Sequence, residues 1–132
     1  IHRNSVNNYL YFLEEARLVQ LHGTSHISAV ALQKPEKIYL DNTNLLFALS
    51  EVDTSVGRLR ETFFQNQVSK DPTVNHSPHT DFIVDQSYSF EIGGKGKGRR
   101  QIQGLQQAWV VKDDLEFPAG EAIPLWIFGF LY

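Results

Sequence analysis

The apolar positions of this chain repeat with two periods, one near 3.6 residues and one of 2. Val6, Tyr9, Leu10, Leu13 and Ala16 recur at i, i+3, i+4, i+7 and i+10, a single helical stripe. Asn7, Asn8, Glu14 and Glu15 fall on the other side, so the spacing predicts an amphipathic helix. Asn4 or Ser5 is expected to cap it, because a short side-chain oxygen accepts a bond from an amide the helix leaves unpaired. Leu18, Val19 and Leu21 lead into an extended stretch, and the turn formers GTSHIS follow. A short strand is predicted over 29–32. Lys34, Pro35 and Glu36 break the pattern, and Ile38, Tyr39 and Leu40 form another strand. Asp41 or Asn42 then caps a short helix, TNLLFALS.

The segment SEVDTSV at 50–56 interrupts the periodicity and marks a boundary between two units, 1–50 and 51–132. Beyond it a helix is predicted over 56–68, with Leu59, Phe63, Phe64 and Val68 on its apolar face. KDPTVNHSPHT reads as loop around a short edge strand, and DFIVD and YSFEI alternate as two strands. GGKGKGRR, a helix over 101–107, a strand AWVV and a turn at 117–120 come next, before the apolar tail 123–132. That tail is expected to be core, or in part an interface with an absent domain or a second copy. The first unit has the helix, turn-rich loop and two strands of the wing half of a winged helix. The second has the order of an α/β (α+β) sandwich around a small sheet.

Composition narrows the class. Of the 132 residues 42% are apolar and 20% charged, which excludes a disordered or collagenous chain. There is no cysteine, hence no disulfide, thiolate metal site or cysteine nucleophile, which fits a reducing, cytoplasmic setting. No apolar run has the length of a membrane helix, and no secretory signal opens the chain. The sequence neither begins with Met nor contains one, so it is expected to be a piece of a longer polypeptide. The net charge of −3 argues against a strong electrostatic nucleic-acid binder, and it arises wholly after residue 50. The five histidines lack zinc-site spacing, and no G-x-S-x-G elbow is present.

The chemistry with most content lies in the two alternating strands. Phe82 and Val84 must share a face with Tyr88, Phe90 and Ile92, which pairs Phe82 with Phe90 and Val84 with Tyr88. The same register carries Asp81 opposite Glu91 on the other face. Two carboxylates at that spacing repel unless a proton, a basic side chain or a divalent cation lies between them. An oxygen-only pair suits Mg²⁺ or Mn²⁺, and Glu61 on the preceding helix offers a third carboxylate. Lys95 is a candidate for neutralising the pair with no ion.

Helical Glu, then Asp, then strand Glu followed by Lys resembles the PD-(D/E)xK nuclease core of the restriction-endonuclease-like fold. The chain as a whole resembles the C-terminal region of a family of prokaryotic AAA+ ATPases, a winged helix followed by such a domain. The stretches that carry the likeness are RNSVNNYLYFLEEARLV, KPEKIYLDNTNLLFAL, GRLRETFFQNQV, and TDFIVD with FEIGGK, which cover most of residues 4–107. The resemblance implies that a P-loop domain binding ATP lies elsewhere in the parent protein. No G-x-x-x-x-G-K-[ST] occurs here, so no cofactor is expected in this piece apart from Mg²⁺. It further implies that Glu61 is the helical acid, Asp81 the metal-binding Asp and Glu91 the strand Glu. The expected lysine two residues after the Glu is Gly93, and Lys95 stands four residues on, beyond two glycines. The acids are therefore present while the activating group is displaced.

Lys95, Lys97, Arg99 and Arg100 crowd into six residues with glycines between them, a candidate contact for phosphate or a partner against the alternative of a solvated loop. Three functions are open on these grounds. The first is an interaction or regulatory module of an AAA+ ATPase, contacting the parent ATPase domain or a second copy, with a non-catalytic core. The second is a Mg²⁺-dependent nuclease using Glu61, Asp81, Glu91 and Lys95. The third is a DNA-binding module using Arg3, Arg17 and the 95–100 loop.

Overall fold

Thirteen residues, Arg3–Glu15, form the first helix, α1. The computed structural model describes residues 2–23, 35–50, 53–69 and 74–131. Neither Asn4 nor Ser5 caps α1: the N-cap is His2, whose carbonyl accepts from the Ser5 and Val6 amides and whose side chain makes no cap bond. Arg17 turns the chain out of the helix in a left-handed conformation (φ 56°), and the Leu18 amide bonds back to the Leu13 carbonyl. Strand β1 (Val19–His22) then pairs antiparallel with β2 (Lys37–Leu40), Val19 opposite Leu40. The strand expected over 29–32 lies outside the described residues. Asn42 caps α2 (Thr43–Leu49), its side chain accepting from the Leu45 amide at 3.0 Å.

Helix α3 (Val56–Val68) follows, with the Ser55 hydroxyl accepting from the Arg58 amide. Its buried residues are Phe64 and the polar Thr62 and Gln65, while Phe63 and Val68 pack partly against the core. The face thus differs from the purely apolar one predicted. A side chain with hydrogen-bonding groups can be buried where partners meet it, and Gln65 donates to Gln20 and to the Ser69 hydroxyl. Gln20 in turn donates to Asp41 at 2.9 Å, which ties α3 to the β1–β2 pair.

Five strands make the main sheet in the order β3 (Val74–His76), β4 (Phe82–Val84), β5 (Tyr88–Gly93), β6 (Ala108–Lys112), β7 (Ala122–Pro124). The β3–β4 and β4–β5 pairs are antiparallel, and β5–β6 and β6–β7 are parallel. The edge strand expected within KDPTVNHSPHT is β3, and the predicted register holds, Phe82 opposite Phe90 and Val84 opposite Tyr88. Residues 101–107 form turns instead of the predicted helix. Gly104 sits at φ +82° and Gln107 at φ 51°, and Ile102 is the buried anchor. One buried apolar side chain in that stretch is too little to hold a helix in place. A 3-10 helix, Leu125–Phe130, takes up the apolar tail and packs on α3.

One face of the sheet carries the main core of Tyr39, Phe64, Val74, Phe82, Ile92, Val111, Leu125 and Phe128. Phe64 lies 5.2 Å from Phe82 and 4.7 Å from Phe128, ring centre to ring centre. Tyr39 comes from the segment before residue 50, so the packing runs across the expected boundary. A smaller cluster, Ile102, Ala108 and Val110, sits beside it. The class is α+β with a mixed sheet. No helix among the described residues is long and apolar enough to cross a membrane.

Candidate functional site

Glu91 is set by the pleat of β5. It pairs with Val110 across the β5–β6 ladder, and Gly93, two residues on, faces the same way. Burial is nearly complete: Glu91 is 1% exposed. Removal from water raises its carboxyl above the usual range, and the neighbouring Asp81 charge pushes the same way against the pull of Lys97. The Lys97 ammonium forms an ion pair with Glu91 Oε1, and Glu91 Oε2 is left without a hydrogen-bond partner.

Lys97 owes that position to Gly93. A Cβ built on Gly93 would fall 2.5 Å from both Cβ and Cγ of Lys97, so the lysine stem lies where a side chain at 93 would stand. The loop places Lys97 back over the strand, and a hydrogen bond from its amide to the Gly94 carbonyl (2.9 Å) closes the turn. A lysine ammonium is thereby brought to Glu91 from four residues beyond Gly93, by a route that bends through the glycines. Lys95, the sequence candidate for this part, instead has its backbone carbonyl accepting from the Lys112 ammonium at 3.3 Å.

Asp81 lies at the start of β4. Its Oδ2 accepts from the Ile92 amide at 2.9 Å, which fastens it to β5, and its Oδ1 is 3.6 Å from the Lys37 ammonium. Glu61, in the second turn of α3, has its Oε2 accepting from the Tyr39 hydroxyl at 2.8 Å and lying 3.8 Å from the same ammonium. Lys37 and Tyr39 are i and i+2 on β2, hence on one face of it. The tyrosine hydroxyl is raised far above its ordinary value by burial and by the Glu61 charge. The arrangement is a pair of linked halves. Glu61, Lys37 and Asp81 form one, Glu91 and Lys97 the other, and the Asp81–Ile92 bond joins them. Among the described residues no group of three or more His, Asp or Glu side chains is arranged to hold a metal ion.

Of the remaining loop cations, Arg99 is in an ion pair with Glu121, so two of the four basic residues of the loop are engaged by acids of the chain itself. Arg3 and Arg17 bracket α1. Sequence reasoning missed Lys37 and Tyr39. Their alternation on one short strand was visible, but the acid they meet lies over twenty residues away on another element. It also missed the buried His22, whose ring stands edge-on to Tyr39 (5.4 Å) and whose pKa burial lowers to about 4. No protein family, curated protein or solved structure compared with this chain matches it.

Proposed function

We propose that this chain is an interaction and regulatory module from the C-terminal part of an AAA+ ATPase. In this reading a partial winged helix leads into a restriction-endonuclease-like core that maintains its shape and does not cut nucleic acid. The observation that carries the reading is how the acids are spent. Glu91 is buried against Lys97, Asp81 holds the Ile92 amide, and Glu61 holds the Tyr39 hydroxyl. A buried acid with its own lysine is an internal tie, costly to break and closed to solvent. The partner is the ATPase region of the parent protein, which would bind ATP through its P-loop. Incubation with plasmid DNA and Mg²⁺ or Mn²⁺ tests the quiet core: the expected result is no nicking above the Glu91→Gln level, and nicking that this variant abolishes overturns it. Capture of the chain by the ATPase region tests the partner, and no capture speaks against it.

A second reading, a Mg²⁺-dependent nuclease, is favoured by one observation: Lys97 reaches Glu91 through the space above Gly93 while Glu91 Oε2 remains unpartnered. Asp81 and Glu91 offer oxygen donors only, and Mg²⁺ is commonly held by one or two carboxylates with water completing its shell. These two residues would hold it, with Glu61 beyond Lys37. When bound, the cation would polarise a phosphodiester for attack by water. Lys97 would then present its ammonium to the attacking water or the phosphate in place of the lysine absent at 93.

A further inference from the structure

Helix α1 is held in the fold by little of its own surface. None of its residues is buried, its N-cap makes no side-chain bond, and its main neighbour among the described elements is β1. A helix of 13 residues is marginal in water by itself, and packing of one face is what normally stabilises it. The apolar face is the one turned outward. Val6, Tyr9, Phe12 and Leu13 stand at i, i+3, i+6 and i+7 and are between 38% and 63% exposed. Together they present about 400 Å² of apolar surface, the size at which a patch on a monomer marks a contact site. The charges at the two ends of α1 run against its own dipole. Arg3 opens the helix, where the free amides favour an anion, and Glu14 and Glu15 close it, where the free carbonyls favour a cation. Glu14 is engaged, its Oε1 accepting from the Leu21 amide at 3.0 Å, and Arg17 follows only after the chain has left the helix. Arg3 and Glu15 are exposed and have no ion pair among the described residues.

We propose that α1 is the contact face of a symmetric dimer, packed antiparallel on α1 of a second copy of this chain. A two-fold axis at Tyr9 sets the register, because Tyr9 is equidistant along the helix from Val6 and Phe12 and again from Arg3 and Glu15. Tyr9 then meets its own equivalent, Val6 lies level with Phe12 of the second copy, and Arg3 lies level with its Glu15. Each acidic end comes beside the other copy's free amides, so charges that oppose the dipole of their own helix complement that of its neighbour. The pattern of apolar centre, basic start and acidic finish is thus complementary to itself. Closing two such faces removes about 800 Å² of apolar surface from water, against about 1,600 Å² in total for a standard stable interface, so the dimer is a weak and reversible one. The inference goes beyond the module assigned above, since its partner is this chain and not the ATPase region.

The experiment is sedimentation equilibrium of the whole chain from low micromolar to near-millimolar concentration. The unmodified chain is expected to pass from monomer to dimer across that range. Tyr9→Glu, which sets like charges against each other at the axis, is expected to stay monomeric. Arg3→Glu alone and Glu15→Arg alone should each weaken the dimer about tenfold, because two like-charge contacts replace two opposite ones. An equimolar mixture of those two variants should recover it, since every contact between unlike chains again joins opposite charges. Thermal melts at low concentration, where the unmodified chain is monomeric, check that each variant is folded. A chain that stays monomeric throughout overturns the proposal and leaves the face to a different partner. So does a dimer that Tyr9→Glu leaves intact, which would put the contact elsewhere, or a mixture no stronger than its components, which would remove the antiparallel register. Capture by the ATPase region is read separately, so failure here is distinguishable from failure of the module reading.

Discussion

Gly93 and Lys97 exclude one another from the same volume, and the consequence falls on Glu91. Lys97→Met removes the counter-charge and leaves a carboxylate that is 1% exposed. We expect a loss of about 3 kcal/mol at neutral pH, the usual cost of stranding a buried charge. Glu91→Gln in the same background should recover most of it, and chemical denaturation of the four proteins of that cycle checks the coupling. The sign with pH is fixed by the raised carboxyl. Between the ordinary carboxylate range and its folded value Glu91 holds its proton better in the folded chain, so its contribution falls as pH rises through that window. His22 acts in the opposite sense. Its pKa drops from 6.5 unfolded to about 4 folded, so stability is full above 6.5 and is lost as pH falls toward 4. The total for this 4%-exposed ring is about 3 kcal/mol. His22→Phe is expected to flatten that part of the stability–pH curve; an unchanged slope in urea titrations from pH 7 to pH 4 would place the acid sensitivity in another group.

Elements differ in how much of them local sequence dictates. Helix α3 is legible in its apolar repeat, and the Ser55 cap seen in the structure fixes its first residue. The β4–β5 register was legible because the aromatic positions fit only one pairing. What local pattern does not carry is the partner. The spacing predicts the α1 helix but not a burial face for it: no residue of α1 is buried, and Tyr9 and Phe12 are both more than 60% exposed. The burial of Gln65 is invisible in the spacing for the same reason, since it depends on Gln20 of a distant strand. Residues 101–107 lost their predicted helix because Gly104 adopts a left-handed conformation and Ile102 alone is buried there. The β4–β5 turn holds a further strain: Asp85 and Gln86 both have positive φ, 50° and 59°. Gln86→Gly removes the Cβ penalty at one of them. It should raise stability by about 0.5–1 kcal/mol, read as a higher midpoint in thermal unfolding, and a lower midpoint would show that the Gln86 side chain supports the turn.

At the scale of the whole molecule the halves are joined through Tyr39, His22 and Lys37, which bring the first fifty residues onto the sheet and helix of the rest. The candidate site is a product of that union. Three of its acids could be named from spacing and resemblance, but Lys37 and Tyr39 needed the tertiary structure, and which lysine meets Glu91 depended on the bend at Gly93. In a purely structural tie the acids are engaged within the chain, Glu91 Oε1 by Lys97, Asp81 by the Ile92 amide and Glu61 by the Tyr39 hydroxyl, with Glu91 Oε2 the open oxygen of the cluster. Calorimetric titration of the intact chain with Mn²⁺ tests this most directly. The account predicts no saturable heat, and the same flat trace from Asp81→Ala and Glu91→Ala once their folding has been verified. Stoichiometric binding by the unmodified chain that both substitutions abolish would contradict it and establish the cluster as a metal site.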